Sequence, residues 1–267
     1  MLKQIRMELF KLCKKKTTHL LAITLLLPVL FIISIHVGTS FIVESEEFVY
    51  TDTLSSQEQA LSAIGFATAM VGQSHFVIVF LFFAISSILF GLEVERGQIR
   101  LLAVRAGKRR RLIMSKFIAA QLMQIIFYVV FMLLMIAAYY LFVANTEHGS
   151  GQFFGDGYLM ELLSVGIRMI GIAVFMSLNM LICVRLKAFA GFAATFIFWM
   201  VVRYLDNIFE QVNNNLLRSL FSPEGLVQIV LTEPNLVQIP LIVGVYIAYI
   251  AVFLLTAILL FAKRDLN

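Results

Sequence analysis

The chain has 267 residues, of which 61% are hydrophobic and only 14% charged, and its mean hydropathy is +0.93. That charge content is far below the quarter usual in soluble domains, so the composition excludes a soluble globular protein and points to a polytopic membrane protein. The net charge of +5 does not indicate nucleic-acid binding, because the basic residues are gathered in a few short segments rather than spread over a surface.

Residues 1–16 place Leu2, Ile5, Leu9 and Leu12 on one helical face with Lys3, Arg6, Lys11 and Lys14 around it, the pattern of an interfacial helix. The apolar run that follows is about 20 residues long, enough to span a bilayer and too long for a signal-peptide core. Six spans are expected, at about His19–Thr39, Phe66–Gly91, Phe117–Val143, Leu162–Val184, Ala188–Leu205 and Ile239–Ala262. Pro28 should kink the first without expelling it. Only Arg185, Leu186 and Lys187 join the fourth and fifth, which therefore form a tight antiparallel hairpin.

The segment 93–116, between the second and third spans, is the most densely charged in the chain. It carries Arg96, Arg100, Arg105, Lys108, Arg109, Arg110, Arg111 and Lys116 against Glu93 and Glu95. Within it Ile99, Leu102, Ala103 and Ala106 recur at helical spacing, which predicts a short amphipathic helix. A helix that short needs a partner surface, and a soluble partner is the natural candidate.

Six basic residues lie in the N-terminal segment, eight in this loop, two at Arg185 and Lys187 and two at Lys263 and Arg264, 18 of 21 on one side. The loop 40–65 holds five acids and no Lys or Arg. By the positive-inside rule both termini are cytoplasmic. The remaining three cations are Arg168, Arg203 and Arg218. In the outer segment 206–238, Ile208, Phe209, Val212, Leu216, Leu217 and Leu220 recur at helical spacing. Ser222, Pro223 and Glu224 then supply an N-cap, a first-turn proline and an acid near the helix dipole. Two short helices are expected there, either dipping into the outer leaflet or lying on it.

Catalytic and metal-binding patterns are absent from the sequence. No phosphate-cradling Gly-x-x-x-x-Gly-Lys-Ser/Thr occurs, so the chain is not expected to be an ATPase or to hold a cofactor. There is no His-Glu-x-x-His, and His19, His36, His75 and His148 are scattered, so neither a metal site nor catalytic residues are expected. Ser74 and His75 are adjacent on a helix and point about 100° apart, which rules out a dyad. Cys13 and Cys183 fall near cytoplasmic ends and are not expected to pair.

Ionisable groups at membrane depth are candidates for a substrate path, and here these are Arg168, Glu161 and His75. Arg168 could snorkel outward, pair with Glu161 two turns away on the same face, or contact substrate. Gln121, Gln124 and Asn179 are expected to bond between helices, and Ala190, Gly191 and Ala194 form a small-residue face that could mate two copies.

The pattern Glu93-x-x-x-Gly97-x-Ile99-x-Leu101-Leu102, followed by Arg109 and the Ser115-Lys116 pair, resembles the cytoplasmic loop of type-2 ABC transporter permeases. Gln98 stands where that family usually has Thr, Ala106 for Pro, Lys108 for Ser and Ser115 for Gly. Glu8-Leu9-x-Lys11-Leu12 before a basic cluster is similar to the start of the small permeases tied to antimicrobial-peptide immunity. The resemblance implies an all-α membrane protein, a single transmembrane domain over 1–267. It implies a coupling helix around Gly97–Ala106 and a re-entrant pair between spans five and six. Glu93, Gly97, Ile99, Leu102, Ala106 and Arg109 would couple to a separate ATPase subunit that binds the ATP. A second permease chain, as a homodimer or with a related permease, and the bilayer of a bacterial plasma membrane complete the implied partners. Nucleic acid is not among them. Export of an antimicrobial peptide or drug is the implied activity, and two other classes stay open: an intramembrane hydrolase, and an accessory or sensor protein without transport.

Overall fold

The computed structural model describes residues 2–14, 61–95, 109–145, 149–212, 214–232 and 239–263. These residues form helices joined by short turns and loops, with no strand among them and one isolated bridge between Leu61 and Gly149. A short helix, α1 (Leu2–Lys14), precedes the long α2 (Ala63–Glu95), which contains a π-helical turn at Ser87–Gly91. Then come α3 (Arg109–Ala138), prolonged by a second π turn at Tyr139–Val143, α4 (Tyr158–Cys183) and α5 (Ala188–Gln211). Two short helices, α6 (Asn215–Phe221) and α7 (Pro223–Thr232), lead to α8 (Ile239–Lys263).

Among the described residues, α2, α3, α4, α5 and α8 are long and apolar enough to cross a membrane. They coincide with five of the six expected spans; the expected first span, residues 19–39, lies outside the described residues, as do Pro28 and most of loop 40–65. Two boundaries differ from expectation. The loop after α2 is narrower than 93–116, because Glu93 belongs to the last turn of α2 and Arg109–Lys116 to the first turns of α3. And α5 runs to Gln211 instead of ending at Leu205, since an ion pair from Asp206 and Glu210 to Arg218 holds its last turns to α6.

Local chemistry explains where the helices begin. The Ser62 hydroxyl accepts the Gly65 N–H at 3.0 Å at the start of α2, and Asn214 does the same for Leu217 at 3.1 Å at the start of α6. Helix α7 opens as its sequence dictates: the Ser222 hydroxyl accepts the Gly225 N–H at 3.1 Å, Pro223 occupies the first turn, and Glu224 follows it.

The long helices alternate in direction, so the chain passes up and down through one bundle with α4 at its centre, packed on α2, α5, α7 and α8. One core cluster joins α2, α3 and α4 through Phe82, Phe127, Phe131 and Phe175. A second lies at the end holding Phe90, Leu112, Phe117 and Phe261, and a third joins α4 to α7 and α8 through Ile167, Val174, Leu226 and Tyr246. Gln121, Gln124 and Asn179 all bond between helices as expected, to Met176, to the Met169 carbonyl, and to Ser87 with the Phe83 carbonyl. Large apolar side chains such as Ile126, Val129 and Leu133 on α3 and Leu255 and Leu259 on α8 face outward, as lipid-facing positions do.

Candidate functional site

Besides the buried Asp206–Arg218 pair that holds α5 to α6, two buried clusters of charge stand out against this apolar bundle, one near each end. At the end that carries α1, the start of α3 and the turn between α4 and α5, Lys116 is completely buried. Its ammonium donates to Glu93 Oε2 at 2.5 Å, to Glu8 Oε2 at 3.1 Å and to the Leu89 carbonyl at 3.3 Å. A lysine has three N–H donors, and here all three have acceptors, which is the condition for holding such a charge away from water. The Leu89 carbonyl belongs to the π turn of α2, a geometry that leaves carbonyls off the regular helical ladder. Lys11 closes the group, 3.2 Å from Glu8 and 3.6 Å from Glu93. Two acids and two lysines thus tie α1 to the end of α2 and the start of α3.

Of the six residues expected to couple to a partner, Glu93 belongs to this cluster. Gly97, Ile99, Leu102 and Ala106 lie outside the described residues, and Arg109 is described only as the first residue of α3.

At the other end the Glu224 carboxylate gathers a histidine and two arginines. His75 Nε2 on α2 is 2.6 Å from Oε1, Arg168 on α4 is 3.5 Å from Oε2, and Arg203 on α5 is 3.9 Å from the same oxygen. Burial alone would raise the Glu224 carboxyl, but His75, Arg168 and Arg203 together outweigh it and hold it far below the ordinary carboxylate range. Trp199 and Phe175 help to line the small cleft in which these groups meet. Arg168 lies ten residues into α4, about 15 Å from its first residue at 1.5 Å per residue, so α7 starts inside the bundle rather than at its rim. Gly171 makes this approach feasible, since a Cβ there would fall 2.6 Å from the Pro223 Cβ.

Two of the three residues expected on a substrate path, His75 and Arg168, therefore converge. Glu161 does not join them. Arg168 takes Glu224 from α7 instead of Glu161 from its own helix, because α7 delivers a carboxylate beside the guanidinium, while the Glu161 carboxylate lies against Gly65. Sequence reasoning read Glu224 only as a helix-start residue and left Arg203 as an unexplained cation. The available signal was charge balance: three arginines off the basic side, facing an outer segment with several acids.

Among the described residues, no three His, Cys, Asp or Glu side chains gather where a metal could sit. Cys183 is a buried free thiol, and the Cys13 side chain lies outside the described residues. Gly191 packs against Cys183 inside the chain, while Ala190 stays exposed.

Among the described residues the structure is an all-helical bundle with five helices long and apolar enough to span a membrane, the build of a helical membrane protein. Within that class the chain belongs to the family described as DUF2705, proteins of unknown function, whose pattern matches residues 10–267. Neither a curated protein nor a solved structure matches the chain.

Proposed function

We propose that this chain is the membrane subunit of a type-2 ABC transporter, a six-span permease with both termini cytoplasmic that works with a second permease chain and a separate ATPase subunit. The reading rests on the resemblance of the 93–116 segment and is supported best by the buried cluster around Lys116. Glu93 and Lys116 flank the basic loop, and they meet in an ion pair that also includes Glu8 and Lys11 of the N-terminal segment. A loop pushed by an ATPase can tilt the spans only if its ends are stiffly joined to them, and this clasp supplies that stiffness. Closure of two ATPase subunits on ATP would press the segment from Gly97 to Ala106 and pass the tilt into α2 and α3. The cargo of this reading is an amphipathic compound such as an antimicrobial peptide or a drug, moved outward. The helices α6 and α7 would be the re-entrant pair of such a permease, and the depth at which Glu224 meets Arg168 favours that over a helix pair lying on the surface.

A pull-down tests the docking. Leu102→Asp puts a charge into the apolar side of the proposed coupling helix, a burial that costs several kcal/mol when unpaired. It should leave the permease in the membrane and strip off the ATPase, whereas Arg110→Gln should do little. Equal ATPase recovery with Leu102→Asp and wild type would sink the docking role, and a wild-type chain that brings down no ATPase would favour an accessory protein or a hydrolase.

A further inference from the structure

The cluster around Glu224 has more positive charge and more donors than its one carboxylate can satisfy. Oε1 faces His75, and Oε2 is shared by Arg168 and Arg203, each of which has five N–H groups to place. The Arg168 side chain is only 11% exposed, and its 3.5 Å contact lies beyond the range of a strong charge-assisted bond. Arg203 is 49% exposed, and its guanidinium sits over the Trp199 ring at 5.6 Å. Two guanidiniums thus converge on one point at membrane depth, where unsatisfied positive charge is costly.

Below this point runs an aromatic stripe. Phe189, Phe192, Phe196, Trp199 and Arg203 succeed one another at alternating steps of three and four residues, so they lie along one face of α5. From α2, Phe80 meets Phe192 edge to face at 5.1 Å and Phe196 at 5.6 Å, and Phe76 meets Phe196 at 6.0 Å. Phe76, Phe80 and Phe189 remain exposed, so the stripe is open along its side. From Phe192 to Arg203 it extends about 16 Å at 1.5 Å per residue, close to one leaflet of a hydrocarbon core about 30 Å thick.

We propose that the cleft and stripe form a binding site for one anionic phospholipid of the leaflet on the α6–α7 side. Its phosphate sits between Arg168 and Arg203, and an acyl chain lies along Phe76, Phe80, Phe192 and Phe196. Paired guanidiniums suit a phosphate because they offer parallel N–H donors, and basic pockets between spanning helices take headgroups in this way. An apolar face alone would accept any lipid; the two arginines at its end select the anionic one. The site rests on the membrane-spanning reading and not on docking to an ATPase, so either can fail without the other.

The chain has a single tryptophan, Trp199, and it stands where head and tail would meet. Purified full chain in neutral detergent, titrated with short-chain phosphatidylglycerol, should give a saturable change in Trp199 fluorescence. Phosphatidylcholine of the same chain length should bind at least tenfold more weakly, and so should glycerol phosphate, which has the head without the tail. Arg203→Gln, at a half-exposed position, should lose at least tenfold in phosphatidylglycerol affinity with its thermal midpoint retained, while Arg185→Gln at the opposite end should behave as wild type. If Arg203→Gln dulls the fluorescence signal itself, bound phosphatidylglycerol counted by native mass spectrometry gives the affinity. Equal binding of the two lipids, or unchanged affinity in Arg203→Gln, overturns the site. Glycerol phosphate binding as tightly as the lipid overturns it as well, since the pocket would then take a small free anion.

Discussion

Lys116 is the residue on which one end of the protein depends. Its charge is tolerated because every N–H has an acceptor, so removing it leaves Glu8 and Glu93 buried with only the partly exposed Lys11 between them. Losing one partner of a buried ion pair costs about 3–5 kcal/mol. Lys116→Met should therefore lower the thermal midpoint in detergent strongly. Lys11→Met, at a position one-third exposed, should cost under about 1 kcal/mol. A Lys116→Met, Glu93→Gln double variant should recover part of the loss; a double variant as unstable as the sum of its parts would argue against the pairing.

At the other end Glu224 carries a pH prediction. Its folded-state carboxyl is held below the ordinary value of 4.5 by His75, Arg168 and Arg203 against the opposing effect of burial. A depressed carboxylate contributes stability that is complete above its unfolded value and disappears as pH falls toward its folded one. Wild type should thus exceed Glu224→Gln in stability above about pH 4.5, and the gap should narrow progressively as pH falls below it. Parallel midpoint curves for the two proteins from pH 7 down to pH 3 would show that Glu224 is not the group responsible.

Among the elements, α7 owes its position to glycine. Pro223 packs where a Gly171 side chain would be, and a Cβ on Gly225 would collide with Asp206 Oδ1. Proline is rigid, so it cannot fold away from a new methyl group. Gly171→Ala should cost about 1–3 kcal/mol by overpacking and displace Glu224 from Arg168. Gly166, one and a half turns earlier on α4, has nothing within 4 Å of its would-be Cβ. Gly166→Ala should be neutral or stabilise by about 0.5–1 kcal/mol, the ordinary helical preference for alanine. Thermal midpoints of the two variants check the contrast, and similar losses for both would mean that close approach of Pro223 is not what Gly171 provides.

For the whole molecule, the alternation of helix directions carries the basic segments to one end. Helix α1, the start of α3, Arg185 with Lys187, and the end of α8 all meet there, whereas α6, α7 and residues 149–157 lie at the other. In the topology proposed above, the positive-inside rule makes the first end the cytoplasmic one. Single cysteines at Lys15 or Lys108 should resist a membrane-impermeant reagent in intact cells, and cysteines at Glu47, His148 or Asn214 should react. The opposite labelling pattern would invert the topology.

Composition and hydropathy alone pointed to a helical membrane protein, and the apolar runs located the five long helices among the described residues, because crossing a bilayer demands a long uninterrupted stretch of apolar residues whatever its neighbours are. The start of α7 was equally legible, since Ser222, Pro223 and Glu224 act through their own backbone. What packs against what was not legible. Glu224 and His75 are far apart in sequence, as are Glu8 and Lys116, and no periodicity relates them. Arg168 had an acid two turns away on its own helix, and local spacing favoured that pair. Only the tertiary fold decided for Glu224, because it brings the start of α7 against α4 at Gly171, and at contact distance a carboxylate from another helix wins over one displaced along the same helix.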